Sequence, residues 1–483
     1  MKKEPTSPTS PVDERYLIEG PLARGLWRFA FPFMLAFLLQ ALYGAVDLFV
    51  VGLSGDAAAV SAVSIGAQTL HALIGVVVGF SVGGVVYIGY NVGANDNDGV
   101  SRAIGATSTL FGVAALILTP LIVFGTNFLV DAMRTPPEAI DFARQYFFVC
   151  ACGFPFVVGC NVVAAIYRGL GDSRTPVLFV AVACAVNIVA DLILVLGFQL
   201  GPFGAAVATV GAQAVSFFYA VWLLKNGRFS FKLRFSDFFP KFDAISRIVK
   251  VGSPLALQDA LVNVSFLIIL AIVNEMGVAA SAGLGVAERA IGFLMLPAAS
   301  FGTAVATATA QNLGAALPKR ALSSFLYGTG FSLAFGLVFW TICQICPEAV
   351  ARIFADDVEI ARQGALYLRS FALDYICVAF VFNFNGYFCG CGKTLVALAH
   401  GSLATLAARI PLSYLFSRPE DATLYEVGFA APLASVVSIV VCVGYFAWLR
   451  RADRLERDAA FQQDNFRPEK EKTPSETPLA DAS

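Results

Sequence analysis

One carboxylate lies deep inside an apolar stretch near the start of the chain. In residues 38–55, LLQALYGAVDLFVVGLSG, Asp47 is the only charged residue, and from 26 to 52 the only other charge is Arg28. A stretch of this length can cross a bilayer, where a carboxylate costs about 2.5–3.5 kcal/mol on insertion scales. Such a residue usually faces a protein interior or a wet cavity; alternatively, Asp47 lies near the helix end and reaches interfacial water.

The composition indicates an integral membrane protein. Of 483 residues, 58% are hydrophobic and 14% charged, and the mean hydropathy is +0.73. A soluble domain is about half apolar and a quarter charged. The net charge of −1 argues against a nucleic acid partner, which would need a basic stripe. Residues 1–24 are polar, and no cleavable signal peptide is expected before the first apolar run.

Residues for enzyme chemistry are scarce. His71 and His400 are the only histidines, and the C-x-x-C at Cys343 and Cys346 and the Cys389–Gly390–Cys391 pair lack further ligands at metal-binding spacing. We interpret these cysteines as small buried apolar side chains. A membrane-embedded enzyme would need paired His, a metal motif or a nucleophile elbow, so we predict that the chain is not an enzyme and has no cofactor.

Apolar runs separated by short polar breaks predict an all-α membrane protein with twelve transmembrane helices. The predicted spans are 26–52, 59–89, 104–129, 145–167, 176–198, 203–224, 251–274, 279–311, 322–346, 366–388, 394–416 and 427–449. The predicted organisation is a cytoplasmic N-terminal tail (1–24), a six-helix N-lobe (25–224), a basic cytoplasmic connector (225–250), a six-helix C-lobe (251–449) and a disordered cytoplasmic tail (450–483).

The positions of the basic residues predict the orientation. With the N-terminus inside, 25 of the 33 Lys and Arg residues fall in cytoplasmic segments. Both termini are therefore expected in the cytoplasm, with the chain spanning the plasma membrane, the inner membrane of a bacterium. No obligate protein partner is evident, and a monomer is expected in the lipid bilayer.

The two halves share landmarks at an offset of 221 or 222 residues. The pairs are Pro32 with Pro254, Gly55 with Gly277, residues 91–94 (NVGA) with 312–315 (NLGA), and 169–171 (GLG) with 390–392 (GCG). Each half has an even number of spans, so both begin with the same orientation and the repeat is parallel. A cavity between two such halves can open alternately to either side, which favours a carrier over a channel, receptor or enzyme.

These motifs resemble the multidrug and toxic compound extrusion (MATE) family. The resemblance rests on LYGAVDLFVVGLSG, YNVGAND, RGLGDSRTP, NIVADLIL, GPFGAAVATVGAQ and TAQNLGA, and it runs from Trp27 to Leu449. It implies a twelve-helix fold in two lobes that exports amphiphilic, often cationic small molecules in exchange for H⁺ or Na⁺. No G-x-x-x-x-G-K-[ST] motif is present, which fits secondary transport.

The first half is similar to the DinF-type branch, in which polar residues of the N-lobe carry cation coupling. The resemblance implies a coupling site made of Asp47, Asn161, Asn187, Asp191 and Thr209. It also implies that Gln40 lines the same cavity. Counting from Arg144 places Asn161 nearer the inner half than the others, unless Pro155 bends that helix.

The spacing of these residues supports most of the site independently. Asn187 and Asp191 are four residues apart and share a helix face. Asp47 and Asp191 each follow a proline, Pro32 and Pro176, by fifteen residues, which places both in the outer half. Two carboxylates close together in a low-dielectric cavity cannot both stay ionised cheaply. The pair suits a proton or, with amide and hydroxyl oxygens, Na⁺; alternatively, these residues only bridge helices.

The second half is not equivalent to the first. The repeat puts Ile269 opposite Asp47 and Ala408 opposite Asn187, so the carboxylate pair has no twin. The charged residues of the second half are Asp259, Glu288, Arg289, Asp374 and Arg409. The NorM-type branch uses acidic residues on the seventh and tenth spans for Na⁺. Asp259 and Asp374 lie on those spans, but their spacing to the neighbouring Pro and Gly residues differs from that of the NorM type.

Two further questions stay open at this point. Glu288 and Arg289 point about 100° apart on a helix, so an intrahelical pair is not expected, and both are structural or cavity-lining. A flippase of lipid-linked sugars from the wider superfamily is the rival function. Such proteins have more cationic residues along the cavity, whereas only Arg289, Arg369 and Arg409 lie at membrane depth here.

Overall fold

Helices and turns make up the whole described structure. The computed structural model describes residues 15–53, 55–133, 135–227, 229–239, 242–419 and 421–451, and no strand occurs among them. The N-lobe helices are α1 (Leu22–Gly52), α2 (Ala57–Gly93), α3 (Asn97–Phe124), α4 (Thr126–Ala132), α5 (Ile140–Leu170), α6 (Arg174–Asp191) and α7 (Gly201–Asn226). The C-lobe helices are α8 (Phe242–Asn274), α9 (Val278–Leu294), α10 (Leu296–Gly314), α11 (Pro318–Ile345), α12 (Pro347–Arg352), α13 (Val358–Phe371), α14 (Leu373–Gly390), α15 (Thr394–Ser402), α16 (Ile410–Phe416), α17 (Leu424–Gly428) and α18 (Ala430–Arg451).

The described helices provide the twelve predicted spans. Ten are long and apolar enough to cross a membrane, and two bent pairs complete the set: α9 with α10, bent by 42°, and α13 with α14, bent by 53°. Pro297 at the start of α10 explains the first bend, because its ring removes a backbone donor and clashes with the preceding turn. The all-α fold is therefore confirmed, while residues 1–14 and the predicted tail beyond 451 lie outside the described residues.

The repeat landmarks are turns with left-handed backbone. Gly171 ends α5 with φ 89°, and its partner Gly392 follows α14 with φ 67°. Asn95 and Ala316, which follow the two N-x-G-A motifs, both have φ 57°. A left-handed residue stops a helix and reverses the chain. The same turn chemistry at the same spacing therefore builds both lobes.

Backbone contacts at glycine hold the lobes together on one side. We call this end the connector face, because residues 225–250 link the lobes there, and the opposite end the far face. A Cβ built on Gly93 would lie 1.9 Å from the carbonyl oxygen of Gln311, and one on Gly314 would lie 2.0 Å from that of Tyr90. Lipid gives apolar helices little reason to associate, so close contact at small residues supplies the packing energy.

The segment before α1, residues 15–20, reinforces this contact by touching both lobes. The Tyr16 hydroxyl donates to the carbonyl of Gly171 in the N-lobe, at 2.7 Å. On the other side, the Asn312 amide donates to the carbonyl of Leu17, at 3.1 Å, and Leu17 itself is fully buried. The connector face is therefore closed by side chains as well as by backbone.

The lobes separate toward the far face. In the first half of α1, Leu26, Phe29 and Phe33 are buried, and Phe29 belongs to the same apolar cluster as Phe301 of the C-lobe. Farther along α1, five of the six residues from 40 to 45 are exposed. A helix exposed on nearly all sides has lipid on one side and an open space on the other. We call that space the cleft.

We predict that Gly93→Ala forces the lobes apart at the connector face. The added methyl overlaps a backbone oxygen that has no rotamer to change, so the free energy of unfolding falls by about 1–3 kcal/mol. Thermal unfolding in detergent and spin-label distances between the lobes measure both effects. Gly112→Ala in α3 is the control, because nothing lies within 4 Å of its Cβ. Equal behaviour of the two variants would contradict the packing argument.

Candidate functional site

Three helices of the N-lobe bring four predicted residues into one cluster near the far face. Asp47 comes from α1, Asn187 and Asp191 from α6, and Thr209 from α7. The Thr209 hydroxyl donates to Oδ2 of Asp47 at 3.0 Å, and the Asn187 amide donates to the Thr209 oxygen at 3.5 Å. The two carboxyl groups are within hydrogen-bonding reach of each other. We call these four residues the N-lobe cluster.

The N-lobe cluster is buried. Asp47 is 6% exposed, and Asn187 and Asp191 are fully buried, so Asp47 does not reach interfacial water as the alternative required. Oδ1 of Asp47, both carboxylate oxygens of Asp191 and Oδ1 of Asn187 have no hydrogen-bond donor within the described structure. Buried polar atoms are nearly always paired. Two carboxyl groups can share a proton, and carboxylate and amide oxygens are ligands that a hard cation such as Na⁺ prefers, so the chemistry of these oxygens fits either ion.

The end of α6 is locally rewound beside Asp191. Leu192–Gly197 continues the helix in π-helical form, and the Phe198 amide donates to the Ile193 carbonyl at 2.9 Å. π turns are rare and occur frequently at functional sites. The rewound turn changes the rotation of all following residues relative to Asp191. It cannot be read from the apolar pattern of this segment, which is equally typical of an α-helix.

Two neighbours of the cluster were not among the predicted residues. Tyr43 lies one turn before Asp47 on α1, and Gln213 lies one turn after Thr209 on α7. The Tyr43 and Gln213 side chains are within hydrogen-bonding distance of each other. The i, i+4 spacing of each from a predicted residue is the signal that could have identified them.

Two predicted N-lobe residues have other surroundings. The Asn161 amide donates to the Val157 carbonyl of its own helix at 2.9 Å, and no described hydrogen bond joins it to the N-lobe cluster. Pro155 lies inside α5, which continues as one helix from Ile140 to Leu170. Gln40 is exposed, on the stretch of α1 that borders the cleft.

The C-lobe acids have a positive charge beside them. Arg409 lies close enough to act electrostatically on Asp374, Glu288 and Tyr367, and its guanidinium stacks 4.1 Å from the ring centre of Phe266. Asp374 is 5% exposed and also meets Ser435. Glu288 thus interacts with Arg409, a residue far away in sequence.

The remaining C-lobe residues do not join this group of charges by any described contact. Asp259 on α8 and Arg289 on α9 are both exposed. The backbone carbonyl of Asp259 accepts from the Asn263 amide at 2.9 Å, a bond within one helix. Within the described residues, one group of acids therefore lies in the N-lobe with no Lys or Arg acting on it, and another lies in the C-lobe near Arg409.

Comparison with known proteins agrees with the repeat. The sequence model of the MatE family matches twice, over residues 32–193 and 254–415, so the two copies are offset by 222 residues. The chain belongs to the MatE family. Members of this family are transporters and not enzymes, and the parallel repeat of the MatE chain is confirmed. Arg409 lies within one residue of the position that the repeat aligns with Asn187.

Relatives and solved structures support the same assignment. The chain is 26% identical over 407 residues to the probable multidrug resistance protein YpnP of Bacillus subtilis, covering 83% of this chain and 89% of YpnP. An outward-facing structure of a multidrug resistance MATE family transporter superposes with a TM-score of 0.83 at 22% identity, covering 93% of this chain and 99% of that one. A MOP superfamily transporter of Pyrococcus furiosus, described as having a binding pocket of reversed polarity, gives 0.84 at 22% identity, covering 92% and 99%. These likenesses show the fold.

We predict that Thr209→Val destabilises the N-lobe cluster and that Thr209→Ser does not. Valine removes the donor to Oδ2 of Asp47 and leaves one more buried acceptor unpaired, which lowers the free energy of unfolding by about 1–3 kcal/mol. Thermal unfolding of the purified variants in one detergent at pH 7 measures the difference. Equal stability of the two variants would show that the hydroxyl does not support Asp47.

Proposed function

We propose that this MatE chain is a secondary active antiporter that exports amphiphilic, often cationic small molecules in exchange for H⁺ or Na⁺. The coupling ion binds at Asp47 and Asp191, with oxygens from Asn187 and Thr209. The exported molecule occupies the cleft between the lobes. The observation that carries the proposal is the set of four buried oxygens without a donor in the N-lobe cluster.

Electrostatics supports an exchangeable ion in the N-lobe cluster. Removing a charge from water costs several kcal/mol even after relaxation, and like charges a few ångströms apart add to that cost. A bound proton or Na⁺ removes most of both penalties. Thr209 offers one hydroxyl and Asn187 one amide, which cannot neutralise two carboxylates. Cation binding is therefore favourable at this site, and loss of the cation favours a rearrangement that separates or hydrates the two carboxylates.

The contrast with the C-lobe supports placing the exchange in the N-lobe. Arg409 supplies a permanent positive charge near Asp374 and Glu288. An arginine keeps its charge at any physiological pH, so it offsets part of the negative charge of the acids near it. The N-lobe acids have no such partner among the described residues. The N-lobe acids therefore depend more on a mobile cation than the C-lobe acids do, which favours the N-lobe as the place of ion exchange.

The shape of the molecule supports export through the cleft. The connector face is closed where Gly93 packs on the backbone of Gln311 and Gly314 on that of Tyr90, while the cleft opens toward the far face. With both termini in the cytoplasm, this is an outward-open state. The multidrug resistance names of YpnP and of the outward-facing neighbour fit export of drug-like compounds. Cation binding acts on α1, which carries both Asp47 and the residues that border the cleft.

Thermodynamics requires the cation to bind the two access states differently, since equal affinity would shift nothing. α1 offers a way to do this, because Pro32 interrupts its backbone hydrogen bonding about four turns before Asp47. Neutralising the cluster changes how strongly the far half of α1 is held to α6 and α7. The connector half stays packed against the C-lobe. A change at Asp47 is thereby converted into a change at the cleft.

We predict that Asp47→Asn and Asp191→Asn each abolish gradient-driven export. Asparagine keeps the shape but removes the charge that attracts the ion. Efflux of a fluorescent cationic dye from proteoliposomes, driven by an imposed pH or Na⁺ gradient, measures the loss. Asp141→Asn is the control, because its side chain is 89% exposed near the start of α5. Undiminished efflux by both cluster variants would refute the coupling site.

The same assay decides which ion is used. Efflux that responds to the pH gradient alone indicates H⁺, and efflux that responds to the Na⁺ gradient alone indicates Na⁺. Wild-type protein that fails under both gradients, while remaining folded, would favour the flippase alternative. Movement of a fluorescent lipid between leaflets then tests that alternative directly.

We predict that both termini lie in the cytoplasm. A green fluorescent protein fused to the C-terminus should fluoresce, and alkaline phosphatase fused there should be inactive, because only the fluorescent protein matures inside the cell. The same reporters placed after Asp421, in the loop between α16 and α17 on the far face, should give the opposite result. Phosphatase activity at the C-terminus would overturn the orientation.

A further inference from the structure

The connector between the lobes combines positive charge with aromatic side chains. Residues 225–250 hold seven Lys and Arg against two Asp, in a chain whose net charge is −1. Six phenylalanines lie between 229 and 242. A solvent-exposed loop whose only role is to connect two lobes needs neither the positive charge nor the aromatic side chains. We call residues 229–239 together with Phe242, the first residue of α8, the connector segment.

The connector segment is held against α3. The Ser101 hydroxyl donates to the Lys232 carbonyl at 3.2 Å, and the Thr109 hydroxyl donates to the Phe238 carbonyl at 2.8 Å. Between them on the same face of α3 is Gly105, where a Cβ would lie 2.0 Å from a backbone oxygen of the segment. The spacing of four residues makes these three one stripe on the helix. The segment therefore follows α3 from its start at the connector face toward the bilayer.

The phenylalanines of the segment divide into anchors and exposed rings. Phe231 is 7% exposed and stacks on Phe229, with ring centres 5.0 Å apart, against the N-lobe core. Phe235, Phe239 and Phe242 are 81%, 72% and 84% exposed. Exposing three large apolar rings to water costs free energy in proportion to their exposed area. At the point where α7 ends and α8 begins, these rings can lie among acyl chains.

Two cations lie immediately before the exposed rings in the sequence. Lys232 and Arg234 are exposed, and neither forms an ion pair within the part of the chain that the structure describes. The neighbouring acid Asp237 accepts from the Arg234 backbone amide at 2.8 Å, a bond that fixes the turn without using the guanidinium. Basic residues beside aromatic rings at a membrane boundary match the headgroup and the tail of an anionic lipid.

We propose that the connector segment is a binding site for an anionic phospholipid of the leaflet at the connector face. Lys232 and Arg234 bind the phosphate, and Phe235, Phe239 and Phe242 lie against the acyl chains. The arginine fork suits two phosphate oxygens, and the lysine adds a point charge. Because the segment is fixed to α3 of the N-lobe and continues into α8 of the C-lobe, the lipid contacts the one covalent link between the lobes.

Lipid binding can be measured without transport, so it is tested separately from the proposed function. The delipidated full-length protein is titrated with phosphatidylglycerol or with phosphatidylcholine of the same acyl chains, and bound lipid is counted by native mass spectrometry. Wild-type protein should bind phosphatidylglycerol more tightly. Each lost cation at a membrane surface weakens such binding about fivefold, so Lys232→Gln with Arg234→Gln should weaken it by more than tenfold.

Matched variants separate the effect of the Lys232 and Arg234 charges from a general effect of positive charge at this face. Arg24→Gln with Lys319→Gln removes two exposed cations at the same face away from the segment and should leave binding unchanged. Phe235→Ser with Phe239→Ser should weaken binding of both lipids. Wild-type preference for neither lipid, or equal loss in the two charge variants, would overturn the proposal. So would full displacement by millimolar glycerol phosphate, because that would assign the site to a free phosphate.

Discussion

The strongest constraint on this molecule is a pair of buried carboxylates that have no Lys or Arg beside them in the part of the chain that the structure describes. Asp47 and Asp191 face each other across α1 and α6, and the donors that the described residues provide in this cluster are the hydroxyl of Thr209 and the amide of Asn187. Beyond them, apolar residues at the far ends of α1, α2, α5 and α7 pack into one cluster around Tyr146. That cluster limits water at the site and keeps the local dielectric constant low. Two charged carboxylates without a bound cation therefore cost more free energy there than in water.

The packing of the lobes fits a structure that must move. Gly83 of α2 and Gly252 of α8 face each other's helices so closely that a Cβ would lie 2.2 Å from the Ile248 carbonyl or 2.6 Å from that of Phe80. Such contacts gain dispersion energy without interlocking side chains. Lobes that meet through smooth backbone surfaces can separate without many rotamer changes. The hydrogen bonds of residues 15–20 hold the lobes together at the connector face, so separation is easier at the far face.

The sequence was sufficient for properties that depend on one helix at a time. Lipid permits only helices or closed barrels, so apolar runs translate directly into spans, and proline spacing gave a common depth for Asp47 and Asp191. Contacts that depend on how one helix is rotated against another were not accessible. Each residue turns a helix by about 100°, so a small error in rotation moves Tyr43 or Gln213 away from the cluster. The bend between α13 and α14 and the π turn after Asp191 were missed because they leave the apolar pattern unchanged.

The two lobes share turns and helix lengths but not charge, and this difference has a consequence for coupling. Had both lobes held an unneutralised acid pair, two ions would be needed and either lobe could respond alone. Arg409, beside the position equivalent to Asn187, places a fixed positive charge near the C-lobe acids Asp374 and Glu288. Under the proposed mechanism, the C-lobe then serves as a fixed reference and the N-lobe carries the element that changes. One ion acting on one lobe suffices, because the shift in population depends only on its different affinity for the two states.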